Sequence, residues 1–187
     1  MQVEAVEHAV KTDQQTRRKI FEEEIDMIAH EEVKQFLLKA IDLLPEYFWY
    51  EKHIPTYYNA TDKNQTIVEH TKDVVALVNE LLTAYDASDI LRDIVLVAAI
   101  LHEGWVRGEI YSESIDPFYP LYPRRMLSKK QYNLIVPEAI WRGITDTIEG
   151  HLGEFSPNPK LNPPKGGPSY LLHLADYLCD NRIVSIN

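Results

Sequence analysis

Between Ile94 and Leu101 the chain reads IVLVAAIL, eight consecutive apolar residues that end abruptly in His102-Glu103-Gly104. A helix that is apolar on every side has no face to give to water and must be surrounded by other elements. Eight residues are too few to cross a bilayer, so the run is expected at the centre of a soluble core. Ser88 or Asp89 can cap this helix, which is predicted to extend to about residue 103.

The surrounding elements are also helical by their spacing. Ile20, Phe21, Ile25, Ile28, Val33, Phe36, Leu37, Ile41 and Leu44 recur at helical intervals and predict one or two helices, stopped by Pro45. Val68, Val75, Leu77, Val78, Leu81 and Leu82 give the inner face of a helix from about Ile67 to Tyr85. Pro137 suits the first turn of a helix carrying Ile140, Trp141, Ile144 and Ile148, and a last helix begins at about Ser169. Residues 45–66 read as an aromatic-rich packed loop. Residues 104–136, with DPFYPLYPRRMLSKK inside them, read as a long irregular segment of the kind that is usually functional. No strand pattern emerges. The expectation is an all-α bundle of five to seven helices, with a polar segment over residues 1–17 that is mobile or a loosely attached helix, and a single domain over 18–187.

Composition narrows the function. With 29 acidic against 19 basic residues, the net charge of −10 argues against an extensive nucleic-acid footprint, which needs phosphates neutralised by Lys and Arg. A small phosphorylated ligand held by a few local cations is compatible with it. Cys179 is the only cysteine, which excludes an internal disulfide and a thiolate-rich metal site. No signal pattern opens the chain, and a cytoplasmic setting is expected. A homo-oligomer is allowed by everything in the sequence.

Polar residues that interrupt apolar helices carry the chemical information, because burying them without a partner costs several kcal/mol, about 2–7 for an uncharged group. Four segments qualify: Glu69-His70-Thr71, His102-Glu103, Gly150-His151 and His173-Leu174-Ala175-Asp176. A lone helical histidine is usually a hydrogen-bonded core or surface residue, so each segment alone has a purely structural reading. Together they follow the order His, His-acid, His, Asp. His8, His30 and His53 have no partner in this pattern and were left outside it.

That order resembles the HD superfamily of metal-dependent phosphohydrolases, over about residues 65–182. The matching pieces are TIVEHTKDVVALVNELL, LVAAILHEGW and YLLHLADYLCDNR. The resemblance implies an all-α fold and a divalent metal held by His70, His102, Glu103 and Asp176. The segment IEGHLGEFSPNPKLNPPKGGPSYLLHLADYLCDNR is similar to the YhaM-like branch, the 3′–5′ exoribonucleases, and would make His151 a further metal- or phosphate-facing histidine. Two positions depart from the family. Glu103 stands where an aspartate is usual, and Val106-Arg107 follow where a lysine is often found.

Imidazoles with carboxylates suit Mn²⁺, Fe²⁺, Co²⁺, Ni²⁺ or Zn²⁺, with Mg²⁺ also admissible. His102, Glu103 and His151 are the expected catalytic group. Arg107, Arg124, Arg125 and Lys165 are the candidate cations for a phosphoryl group, because guanidinium binds phosphate bidentately. Glu109 and Asp116 are candidates to orient water, His173 shares the face of Asp176 one turn away, and the tyrosines at 57–58 and 119–122 are candidates to stack a base. The expected activity is hydrolysis of a phosphate ester or anhydride in a nucleotide or nucleotide-derived small molecule. The alternatives are a degenerate HD domain that binds a nucleotide or protein partner without turnover, and a 3′–5′ exonuclease on single-stranded nucleic acid.

Overall fold

A computed structural model describes residues 13–55, 65–128, 134–152, 161 and 167–181. Among these residues it is all-α, with eight helices and no strand: α1 (Gln14–Ile20), α2 (Glu22–Asp26), α3 (Glu31–Ile41), α4 (Ile67–Ala84), α5 (Asp89–Leu101), α6 (Tyr122–Leu127), α7 (Glu138–Gly150) and α8 (Pro168–Asp180). Two 3₁₀ turns, Glu46–Trp49 and Tyr119–Leu121, complete the set. No described helix is long and apolar enough to cross a membrane.

The expected central helix is α5. It packs against α4, α7 and α8, and α3 covers a further side. Every residue from Val95 to Leu101 is fully buried, as its all-round apolar sequence requires. Helix α4 starts at a capping box, in which Thr66 accepts from the Glu69 amide while the Glu69 carboxylate accepts from the Thr66 amide. Helix α8 begins at Pro168 just after Gly167, whose φ of 63° suits the absence of a side chain.

Two differences from the sequence reading have identifiable causes. The segment predicted as one or two helices is three. The chain leaves the helix at Phe21, which is buried against Phe48 and Trp49 with ring centroids 6.2 and 6.0 Å away. It leaves again before α3, where the buried Asp93 carboxylate of α5 accepts from the amides of Ala29 and His30 at 2.9 and 2.8 Å. Helix α1 is tied to the segment after α3 by Arg17, which bonds the Leu44 carbonyl, pairs with Glu46 and lies over the Trp49 ring. The segment expected to be irregular holds a 3₁₀ turn and α6, with Pro120 and Pro123 in first-turn positions where a missing amide hydrogen is harmless.

Candidate metal centre

Two helices end in the same way. His102 follows the last residue of α5 and His151 the last residue of α7. The Nδ1 atoms lie 2.7 Å from the Ala99 carbonyl and 2.5 Å from the Ile148 carbonyl, each three residues back. A carbonyl only accepts, so Nδ1 carries the proton in both rings and Nε2 is turned into the bundle. The last carbonyls of a helix lack intrahelical partners, and here they fix the tautomer of an imidazole, the device by which a histidine ligand is commonly oriented.

The Nε2 edges converge on Asp176 of α8. His70 of α4 places Nε2 3.1 Å from Oδ1, His102 places it 3.7 Å from Oδ1, and His151 places it 3.9 Å from Oδ2. All four residues are at most 2% exposed. Burial pushes the Asp176 carboxyl up, but His102 and His70 more than offset it and hold it well below the usual range. Burial pushes His102 down, and Asp176 more than compensates, so the ring titrates above its ordinary 6.5. For His151 burial prevails and lowers it to about 4. His173 extends the assembly from outside, its Nδ1 lying 2.7 Å from the His151 carbonyl, so it ties α8 to the end of α7.

Glu103 also faces the cluster. One of its carboxylate oxygens and a nitrogen of each of His70 and His102 lie within 4.8 Å of one another. Its Oε2 is 2.8 Å from Nδ1 of His53, and Nε2 of His53 is 2.7 Å from Oδ1 of Asp180. Sequence reasoning set His53 aside and did not consider Asp180. Asp180 was findable, since it follows Asp176 by four residues on one helical face. His53 was not, because it lies in an irregular segment with no periodicity. Burial lowers the His53 ring, but Glu103 and Asp180 outweigh it and raise it to about 10. Burial opposes ionisation of Glu103, and His53 outweighs it, so that carboxyl falls to about 2.

His53, His70 and Asp180 form a second group of ligand-type atoms within 4.8 Å. The two rings are stacked, with centroids 3.7 Å apart and planes 4° from parallel. Imidazole binds a metal in its own plane, so an ion in the plane of one ring lies well out of the plane of the other. This group is therefore better suited to hydrogen bonding than to holding an ion of its own.

The other candidates are held by partners of their own. Arg107 is buried and turned toward its own chain: Nη1 donates to the Glu113 carbonyl at 2.7 Å, Nη2 donates to the Lys52 carbonyl at 3.2 Å, and Glu51 pairs with it at 3.4 Å. Arg124 pairs with Asp146 and Glu149, and Arg125 with Glu109. Asp116 accepts from the Phe118 amide and the Tyr122 hydroxyl, which shapes the loop around it. Tyr119 is turned inward, its hydroxyl 2.9 Å from Nε2 of His151. Lys165, Tyr57 and Tyr58 lie outside the described residues. An apolar groove of about 490 Å³ between Tyr85, Leu91 and Tyr170 shares no residue with the cluster.

The donor set fits a divalent metal. Its atoms are imidazole nitrogens and carboxylate oxygens from separate elements, and Nε2 of His102 and Nδ1 of His70 are buried without a hydrogen-bond partner among the described residues. Buried polar atoms are nearly always satisfied, and a cation among His70, His102 and Glu103, with Asp176 beside the two histidines, would satisfy His102. Comparison with models of protein families, with curated proteins and with solved structures finds no significant match. The buried His/Asp/Glu cluster is compatible with an HD-type metal site, and none of the three comparisons shows membership of that superfamily.

Proposed function

We propose that this chain is a divalent-metal-dependent phosphohydrolase that cleaves a phosphate ester or anhydride in a nucleotide or nucleotide-derived small molecule. The observation that carries the reading is the convergence of three buried imidazole edges, from α4 and the ends of α5 and α7, on the single carboxylate of Asp176. His70, His102, Glu103 and Asp176 would hold the metal. A bound divalent cation supplies a Lewis acid for a phosphoryl oxygen and makes water nucleophilic near neutral pH.

The chain's own residues supply orientation. The Ala99 and Ile148 carbonyls keep two histidines in one tautomer, so no reorganisation is needed when a ligand arrives. His151, held neutral by burial and bonded to Tyr119, stands beside Asp176 as an uncharged imidazole that would face the phosphoryl group of a bound substrate. Arg107 is engaged by the Glu113 and Lys52 carbonyls and by Glu51. Among the arginines, Arg124 and Arg125 are the more exposed candidates for a substrate phosphate, which would have to draw them from Asp146, Glu149 and Glu109.

A second reading, ligand binding without turnover, is favoured by the attachment of Glu103 to His53, which engages one oxygen of the family's usual ligand position. Elemental analysis of the purified protein beside His102→Ala, followed by a nucleotide hydrolysis screen with Mn²⁺, separates the two. Near-stoichiometric metal that is lost in the variant, with release of phosphate or nucleoside by the wild type, is the expected result. Metal without turnover selects the binding reading. Absence of metal even after incubation with excess Mn²⁺ rejects the metal centre.

A further inference from the structure

We propose that His53, anchored on Asp180, is a positioning residue for Glu103, and that a glutamate stands at 103 because only its longer side chain reaches His53. The inference rests on the metal-centre reading above and assigns roles to two residues outside the four-ligand set.

His53 is 4% exposed and lies between two buried carboxylates, 2.8 Å from Glu103 and 2.7 Å from Asp180. Its ring is stacked on His70, so it contacts one proposed ligand through its face and another through its edge. An aspartate at 103 would withdraw the carboxylate by one carbon–carbon bond, about 1.5 Å. The 2.8 Å bond to Nδ1 would then be broken unless the backbone moved.

The segment that delivers His53 is itself fastened. The His53 amide donates to the Gln65 carbonyl at 2.9 Å, and the Ile67 amide donates to the Glu51 carbonyl at 3.0 Å, joining the segment to the start of α4. Arg107, one helical turn beyond Glu103 in sequence, donates to the Lys52 carbonyl and pairs with Glu51. Tyr47 secures that turn in turn, donating to the Gly108 carbonyl at 2.9 Å and accepting from the Arg107 amide at 3.2 Å. The two departures from the family pattern thus belong to one construction. Glu103 reaches His53, and Arg107 holds the strap that presents it.

Partners that orient a metal ligand typically contribute 10–100-fold in metal affinity. The test uses the full chain and Co²⁺ as the probe, reading affinity by competition with a chelator and site geometry by the visible d–d absorption. Wild type, His53→Ala, Glu103→Asp and the double variant form a cycle, with helix content and melting recorded in EDTA to establish folding. His53→Ala and Glu103→Asp are each expected to weaken Co²⁺ by about 10–100-fold and to alter the absorption, and the double variant to be no weaker than the worse single one. His53→Asn, whose side-chain nitrogen falls where Nδ1 stood and can still donate to Glu103, should recover part of the affinity; this variant replaces His53→Ala in the cycle if the alanine chain does not fold. Equal or tighter binding by Glu103→Asp, or independent addition of the two effects, overturns the positioning role while leaving the metal centre standing. A wild-type chain with no Co²⁺ affinity overturns both.

Discussion

Asp93 shows how much a single buried charge can organise. It is fully buried in α5, yet its two oxygens accept from the Ala29 and His30 amides, and Oδ2 lies 2.7 Å from Nδ1 of His30. The carboxylate thus anchors, from another helix, the two residues that lead into α3, the N-cap His30 and Ala29 before it. Asp93→Ala leaves two amides without an acceptor. Hydrogen bonds to a charged group are worth about 1.5–3 kcal/mol each, so urea unfolding should show a loss of about 3–6 kcal/mol, and Asp93→Asn a smaller one. A loss under about 0.5 kcal/mol, the range of neutral surface changes, would mean that water replaces the carboxylate without cost.

At the scale of the element, the end of α5 explains why glycine follows the His-Glu pair. A Cβ built on Gly104 would meet Cδ2 of Leu44 at 2.5 Å and the Leu101 carbonyl oxygen at 3.1 Å. The chain turns there against the segment after α3, and the close approach fixes where His102 and Glu103 sit. Gly104→Ala is expected to cost about 1–3 kcal/mol by overpacking, read as a lower melting temperature, with metal affinity falling because the turn carries two proposed ligands. An unchanged melting temperature would show that Leu44 moves aside freely. The helices themselves were legible from spacing: the α4 and α5 boundaries, the central place of α5 and the buried faces follow from local sequence. The breaks at Phe21 and before α3 were not, since they depend on Phe48, Trp49 and Asp93, which are distant in sequence. Likewise His70, His102, Glu103, His151 and Asp176 were legible as polar interruptions of apolar helices, and His53 was not, because a loop residue carries no periodicity to mark its direction.

For the molecule as a whole, the charges collected in one dry cluster set a dependence of stability on pH in the metal-free state. His53 is raised from 6.5 to about 10, so its contribution is complete below pH 6.5 and is lost as pH rises toward 10. His151 is lowered from 6.5 to about 4, so the unfolded chain takes up a proton there first and stability falls as pH drops below 6.5. Glu103, lowered from 4.5 to about 2, adds a contribution present above pH 4.5 and lost as pH falls through 2. In EDTA, stability should therefore peak near pH 6.5 and decline on both sides, and His53→Gln should flatten the alkaline limb. A plateau extending unchanged to pH 10 would show that His53 is not held between two carboxylates.

The sequence by itself determined that the chain is all-α, which helix lies at the centre, and that histidines and acids interrupt the faces that must be buried. Those properties follow from periodicity, and periodicity is local. The tertiary structure decided what the interruptions meet: Asp176 at the convergence of three imidazoles, His53 between Glu103 and Asp180, and Arg107 turned inward to hold a strap. A helical pattern fixes which way a side chain points relative to its own axis. Only the crossing of helices and the course of the segments between them fix which polar atoms come within hydrogen-bonding distance.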